Sequence, residues 1–204
     1  MEYSTVTELP GQKASKQQLL RLYTRYKFAS QYCVGKRVLE LACGGGLGLG
    51  LLAEHAREVV AADVDERILS CARKTYGSRE KIATLKLDAN KRLPFDDSSF
   101  DTIILYEALY YLDNPGFCIG EAWRLLKDGG VFLTCLPNKS VCGFIPSPLS
   151  RRYFSQSELK DVLTVAGFND VRLLGGSPVV RGVNSSLIST LKSLALTVGV
   201  IPKT

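Results

Sequence analysis

The chain has 204 residues, of which 46% are hydrophobic, 9% aromatic and 23% charged. That is the makeup of one globular domain with a sizeable core, and it excludes a disordered, collagen-like or disulfide-stapled chain. The net charge of +6 sits at the ends: residues 1–27 carry five Lys/Arg against two Glu, residues 181–204 carry three against none, and the body between is neutral. With no basic cluster interleaved with aromatics, no nucleic-acid partner is expected. The basic ends leave room for an anionic substrate or weak contact with an anionic membrane surface.

Residues 1–35 read as a polar lead and then a helix, with Leu19, Leu22, Tyr23, Tyr26 and Ala29 at helical spacing, placed as a lid over the body. From Arg37, short apolar runs alternate with helical patterns: "RVLEL", "LGLGLLAEHA", "EVVAAD", "ERILSCARKTY", "IATLKL", "FDTIIL", "PGFCIGEAWRLL" and "GVFLTCL". This is the βαβ rhythm of an α/β fold, a mostly parallel sheet flanked by helices on both faces. Pro94, Pro115, Gly129 and Gly130 fall between the runs. A loop with three prolines follows Leu136, Ser155 with Glu158 makes a capping box before another helix, and "NDVRLLGG" reads as a strand. Residues 36–180 form the body. The apolar segment 181–204 fits a docked helix, an acceptor lid or an interfacial segment, and nothing demands a second domain.

Six cysteines, Cys33, Cys43, Cys71, Cys118, Cys135 and Cys142, form no CxxC, and His55 is the one histidine, so no metal site is expected. Cysteines inside apolar runs suit buried free thiols in a reducing, cytoplasmic compartment. No stretch reads as a signal peptide or a membrane span.

The sharpest motif is "VLELACGGGLG", a strand that ends at Leu41 and runs into Gly44, Gly45, Gly46 and Gly48 ahead of a helix. Glycines there permit positive φ, remove Cβ atoms that would hold a ligand away, and leave helix N-terminal N–H groups pointing outward. The next strand ends in Asp63, nineteen residues after Gly44, the spacing at which a carboxylate meets an adenosine ribose; an ionised aspartate can hold both hydroxyls. A third strand leads into Asp88 and Ala89. Asp65 suits the N-cap of the intervening helix, which frees Asp63 for a ligand. No GxxxxGK[ST] is present, which excludes a P-loop. A dinucleotide fingerprint fits only at Gly48 to Ala53, seven residues after the strand ends.

Taken in order, "VLELACGGGLG", "VVAADVDERILSCA", "LDANKRLPFDDSSFDTIILYEALYYLDNP", "EAWRLLKDGGVFLTCLPN" and "RYFSQSELKDVLTVAGF" resemble the class I S-adenosylmethionine-dependent methyltransferases, in the small-molecule branch of ubiquinone/menaquinone-type and sugar-pathway-type enzymes. The resemblance implies a Rossmann-like doubly wound sheet, S-adenosylmethionine as cofactor and S-adenosylhomocysteine as product. It gives Glu40 the task of fixing the glycine turn and the cofactor's methionine end, and brings the backbone of Ala42, Gly44 and Gly46 up to the cofactor. Asp63 would hold the ribose, Val64 the adenine face, Asp88 the adenine amino group and Ala89 the ring, with Tyr106 beside the methionine moiety. Where the branch carries a Glu-His pair this chain has Tyr110 and Tyr111. Glu107, Tyr110 and Tyr111 therefore become candidates for the acceptor pocket, roofed by the helix at Arg25 and Tyr26 and the loop near Ile145; the two tyrosines equally suit plain helix packing. No catalytic base follows from the sequence, and His55 reads as a bystander. The expected function is methyl transfer to a small-molecule acceptor, a saccharide or lipid-linked intermediate being preferred. The rivals are a nucleotide-dependent reductase and a cofactor-binding protein without turnover.

Overall fold

A computed structural model describes residues 9–141 and 144–175, and the backbone of 196–202. Five strands form a parallel core: β1 (Arg37–Leu41), β2 (Glu58–Asp63), β3 (Ile82–Lys86), β4 (Phe100–Tyr106) and β5 (Leu126–Pro137). With β6 (Arg172–Gly175) and β7 (Leu196–Pro202) they make one sheet in the order β3-β2-β1-β4-β5-β7-β6. The chain runs outward one way from β1 through β2 and β3, then returns to the other side with β4. The switch point between β1 and β4 opens a crevice at the carboxyl ends of the strands, where open α/β sheets bind ligands.

Five helices cover the sheet: α1 (Lys16–Ser30), α2 (Leu49–His55), α3 (Glu66–Tyr76), α4 (Pro115–Leu125) and α5 (Gln156–Val165). Val38 packs in the apolar layer with α1, α2 and α3, whereas Leu39 and Leu41 pack with α4 and α5. Strands β1, β2 and β4 are buried on both sides, which is why they read as continuous apolar runs, whereas β3 at the sheet's edge is largely exposed. Local signals set the helix starts. Ser15 and Ser155 form capping boxes with Gln18 and Glu158, Asp65 caps α3, and Asn114 precedes Pro115 at the first turn of α4. None of the helices among the described residues is long and apolar enough to cross a membrane. Cys33, Cys43, Cys118 and Cys135 are buried free thiols and Cys71 is half-buried, while Cys142 lies outside the described residues.

Three expectations need correction. The buried face of α1 is Arg25, Tyr26, Ala29 and Ser30, with Leu22 packed beside it, while Leu19 and Tyr23 are more than half exposed, because they lie on the side of the helix turned away from the body. Tyr110 and Tyr111 lie in a single 3₁₀ turn, Leu109–Tyr111, too short to be an amphipathic helix. Within 181–204, residues 196–202 form strand β7, antiparallel to both β5 and β6, instead of a lid or docked helix. A short apolar run has no periodicity that separates buried strand from buried helix; pairing on both edges decides it. Residues 176–195 lie outside the described residues.

Candidate functional site

A cavity of about 1300 Å³ opens over the carboxyl ends of β1 to β4, bounded on the far side by α1 and the proline-rich loop. Its floor begins where β1 ends. Ala42, Gly44 and Gly46 all take positive φ, at 54°, 57° and 80°. Ala42 does so while carrying a Cβ, a conformation costing about 1–2 kcal/mol. Asp63, the last residue of β2, holds the turn: its Oδ2 accepts the Gly44 N–H at 2.9 Å and its Oδ1 the Asp65 N–H at 2.9 Å. Burial raises the Asp63 carboxyl above its ordinary range, against the opposing pull of these N–H donors. Each oxygen keeps acceptor capacity on the cavity side.

Along the same wall stand exposed Val64, then Asp88 and Ala89 at the end of β3. Asp88 Oδ1 accepts from the Asn90 backbone at 3.0 Å and side chain at 3.2 Å, leaving Oδ2 with a single distant cation, Lys91 at 3.8 Å. Val64 and the two carboxylates thus offer one cavity an open apolar surface and hydrogen-bond acceptors.

Two of the residues expected at the cofactor stand in packed surroundings. Glu40 is buried, its Oε1 accepts the Tyr26 hydroxyl, and its Oε2 is buried without a partner among the described residues. Alternation along β1 puts it on the α1 side of the sheet, and the side chain that accepts the Gly44 N–H is that of Asp63. Burial, partly offset by the Tyr26 hydroxyl and reinforced by the charge of Asp63, raises the Glu40 carboxyl to about 7. Gly46 is buried off the cavity wall; a Cβ there would stand 2.8 Å from the Ala72 Cβ, so its bareness lets α3 approach. Gly48 makes room for the Tyr26 ring in the same way, with 1.9 Å to the nearest ring carbon.

The other half of the cavity brings together all five expected pocket residues. Arg25 Nη1 lies 2.8 Å from Glu107 Oε1, and the Tyr110 hydroxyl donates to Glu107 Oε2 at 2.9 Å. Glu107 sits at φ 54° just past β4, a strained position of the kind that gathers at functional sites. The Tyr106 ring meets the Tyr26 ring edge-on at 5.6 Å. Tyr110 stacks on Tyr153 at 4.8 Å and lies against Tyr111 at 4.4 Å. Arg151 donates its N–H to the Tyr110 carbonyl at 2.8 Å, tying the proline-rich loop to this wall. Ile145 lines the cavity and is 59% exposed at its rim. Sequence reasoning missed Gln18, Arg21, Phe144 and Tyr153, which also line it. The first two were legible in principle, since they lie seven and four residues before Arg25 on one helix face; the loop residues were not.

Comparison with known proteins bears on this arrangement. A methyltransferase domain model matches residues 39–134, from mid-β1 to β5. The chain is 31% identical over 173 residues to a protein of Mycolicibacterium smegmatis described as a probable S-adenosylmethionine-dependent methyltransferase. Over these residues the chain is similar to the S-adenosylmethionine-dependent methyltransferases. That match covers 82% of this chain and 65% of the relative. A demethylmenaquinone methyltransferase of Clavibacter sepedonicus is 36% identical over 50% of this chain and 41% of its own length. The chain thus spans less than two thirds of these relatives. In fold it is similar to one chain of the complex between the Haloferax volcanii Trm112 methyltransferase activator and a methyltransferase, with a TM-score of 0.74, 19% identity and 92% of each chain covered. The Mycolicibacterium smegmatis relative is described as dependent on S-adenosylmethionine, and the cradle at the ends of β1, β2 and β3 has donors and acceptors that fit an adenosyl group.

Proposed function

We propose that the protein transfers a methyl group from S-adenosylmethionine to a small-molecule acceptor. One observation carries the reading: Gly44, Asp63, Val64 and Asp88 share one wall of a cavity whose volume exceeds the roughly 300–1,000 Å³ that a single ligand fills. The wall takes the adenosyl group, and the space toward α1 takes a second molecule. Asp63 holds the ribose hydroxyls on the lone pairs left free by Gly44 and Asp65, Val64 supports the adenine ring, and Asp88 with the backbone of Ala89 reads its edge. The backbone of Ala42 and Gly44, with Tyr106, borders the methionine end. Helix α1 serves as the lid over the site.

When bound, S-adenosylmethionine supplies a methyl already activated on a sulfonium. The chain's part is alignment and exclusion of water, which by themselves carry much of the rate of an in-line displacement. The Tyr106 and Tyr110 rings border the place where the sulfonium charge stands and favour it through their π faces. Arg25 and Tyr110 lock Glu107 in one orientation beside the acceptor. A lipid-linked or saccharide intermediate is the first acceptor class to screen, supported by the apolar Phe144–Pro148 rim and by the quinone relative.

Calorimetry with S-adenosylmethionine, S-adenosylhomocysteine and NADH tests the cofactor. The first two should bind and NADH should not, and Asp63→Ala/Asp88→Ala should weaken binding at least tenfold. Equal binding by the double variant, or preference for NADH, overturns the reading. Binding without methyl release across an acceptor panel would favour a cofactor-binding protein without turnover.

A further inference from the structure

The α1 wall of the cavity is lined by donors with too few acceptors. Gln18, Arg21 and Arg25, spaced three and four apart, stand in a row on one side of the helix facing the cavity. Gln18 Oε1 is taken by the Ser15 N–H, so that side chain turns an NH₂ outward. Arg25 is 8% exposed and spends one nitrogen on Glu107, yet its Nε is buried without a partner. Arg21 Nε is likewise buried and unpartnered, and the guanidinium makes no ion pair or hydrogen bond among the described residues. The other charges on this half cancel, Arg25 against Glu107 at 2.8 Å and Arg151 against Asp113 at 3.1 Å. One positive charge, that of Arg21, is left over at the place where the acceptor would lie. Buried donors left unmade are costly, and a guanidinium is best met by a planar or tetrahedral oxyanion.

We infer that the methyl acceptor carries an oxyanion, a carboxylate or phosphate, which Arg21 binds with help from Gln18 and Arg25, and that Arg21 thereby selects anionic acceptors over neutral ones. The rings of Tyr111, Phe144 and Tyr153 line the same cavity, Phe144 meeting Tyr153 edge-on at 4.7 Å, and give an aromatic surface for the body of the same molecule. The proposal deepens the methyltransferase reading and rests on it. It concerns only the half of the cavity away from Asp63 and Asp88, so the two can fail separately.

The test uses the full chain saturated with S-adenosylhomocysteine and small aromatic probes, namely benzoate, phenyl phosphate and neutral benzyl alcohol, titrated by NMR chemical shift at fixed ionic strength. Benzoate or phenyl phosphate should bind at least tenfold more tightly than benzyl alcohol. Arg21→Gln should abolish that preference while leaving benzyl alcohol and S-adenosylhomocysteine affinities unchanged, and Arg21→Lys should restore part of it. If S-adenosylhomocysteine binds but the anions gain nothing over benzyl alcohol, or the Gln variant keeps the preference, the oxyanion site is overturned and the cofactor reading stands. If S-adenosylhomocysteine itself does not bind the wild type, the cofactor reading is what falls.

Discussion

Glu40 is an acid without a full set of partners: one oxygen receives the Tyr26 hydroxyl and the other receives nothing. Burial first, then the charge of Asp63, raises its carboxyl from 4.5 to about 7, with the Tyr26 bond pulling the other way. Between those values the folded protein holds a proton that the unfolded chain has released. Stability therefore falls as pH rises through that window and levels off above it, a contribution on the order of 3 kcal/mol. Urea unfolding at pH 5 and pH 8 should show this loss in the wild type and a shallower one in Glu40→Gln, whose amide oxygen can still accept from Tyr26. Identical slopes in the two proteins would mean that Glu40 ionises normally. Asp63 is raised in the same direction but keeps two backbone donors, so it survives in Glu40→Gln as the residual slope.

One of the contacts by which helix α1 meets the body is an aromatic one that only a bare backbone permits. Gly48 leaves the space that the Tyr26 ring fills, and a methyl there would lie 1.9 Å from the ring. Gly48→Ala should push α1 outward and cost about 1–3 kcal/mol or more, read as a fall of several degrees in the melting temperature. Gly120, inside α4 with no atom within 4 Å of a built Cβ, is the contrast. Gly120→Ala should raise stability by about 0.5–1 kcal/mol, because the helix gains propensity and loses no contact. If both substitutions destabilise alike, the packing argument for α1 is wrong.

At the scale of the molecule, β7 closes the sheet. It pairs with β5 from Val131 to Pro137 and with β6 from Arg172 to Gly175, so β6 joins the rest of the sheet through it. Truncation after Gly175 would leave one side of β5 with unpaired N–H and C=O groups and strand β6 without its neighbour. Exposed strand edges of this kind template self-association. The truncated chain should elute as aggregate on size exclusion with light scattering, and a soluble monomer that still bound S-adenosylhomocysteine would refute this account.

The sequence by itself determined the parallel core and the glycine turn that follows its first strand. Continuous apolar runs between breakers specify strands buried on both faces, and the glycine turn, Asp63 and Asp88 stand at strand ends because the βαβ repeat puts them there. Asp65 and Ser155 were legible as caps for the same local reason. Only the tertiary structure decided that Asp63 accepts the N–H of the turn, that Gly46 and Gly48 serve helix packing, and that Arg21 finds no partner among the described residues beside Arg25. Those outcomes depend on which face of a strand meets which helix and on charges that cancel across the fold. Residues 196–202 belong with them: an apolar stretch becomes a strand when two edges with open hydrogen-bonding groups lie on either side of it, and pairing at that distance leaves no periodicity in the chain.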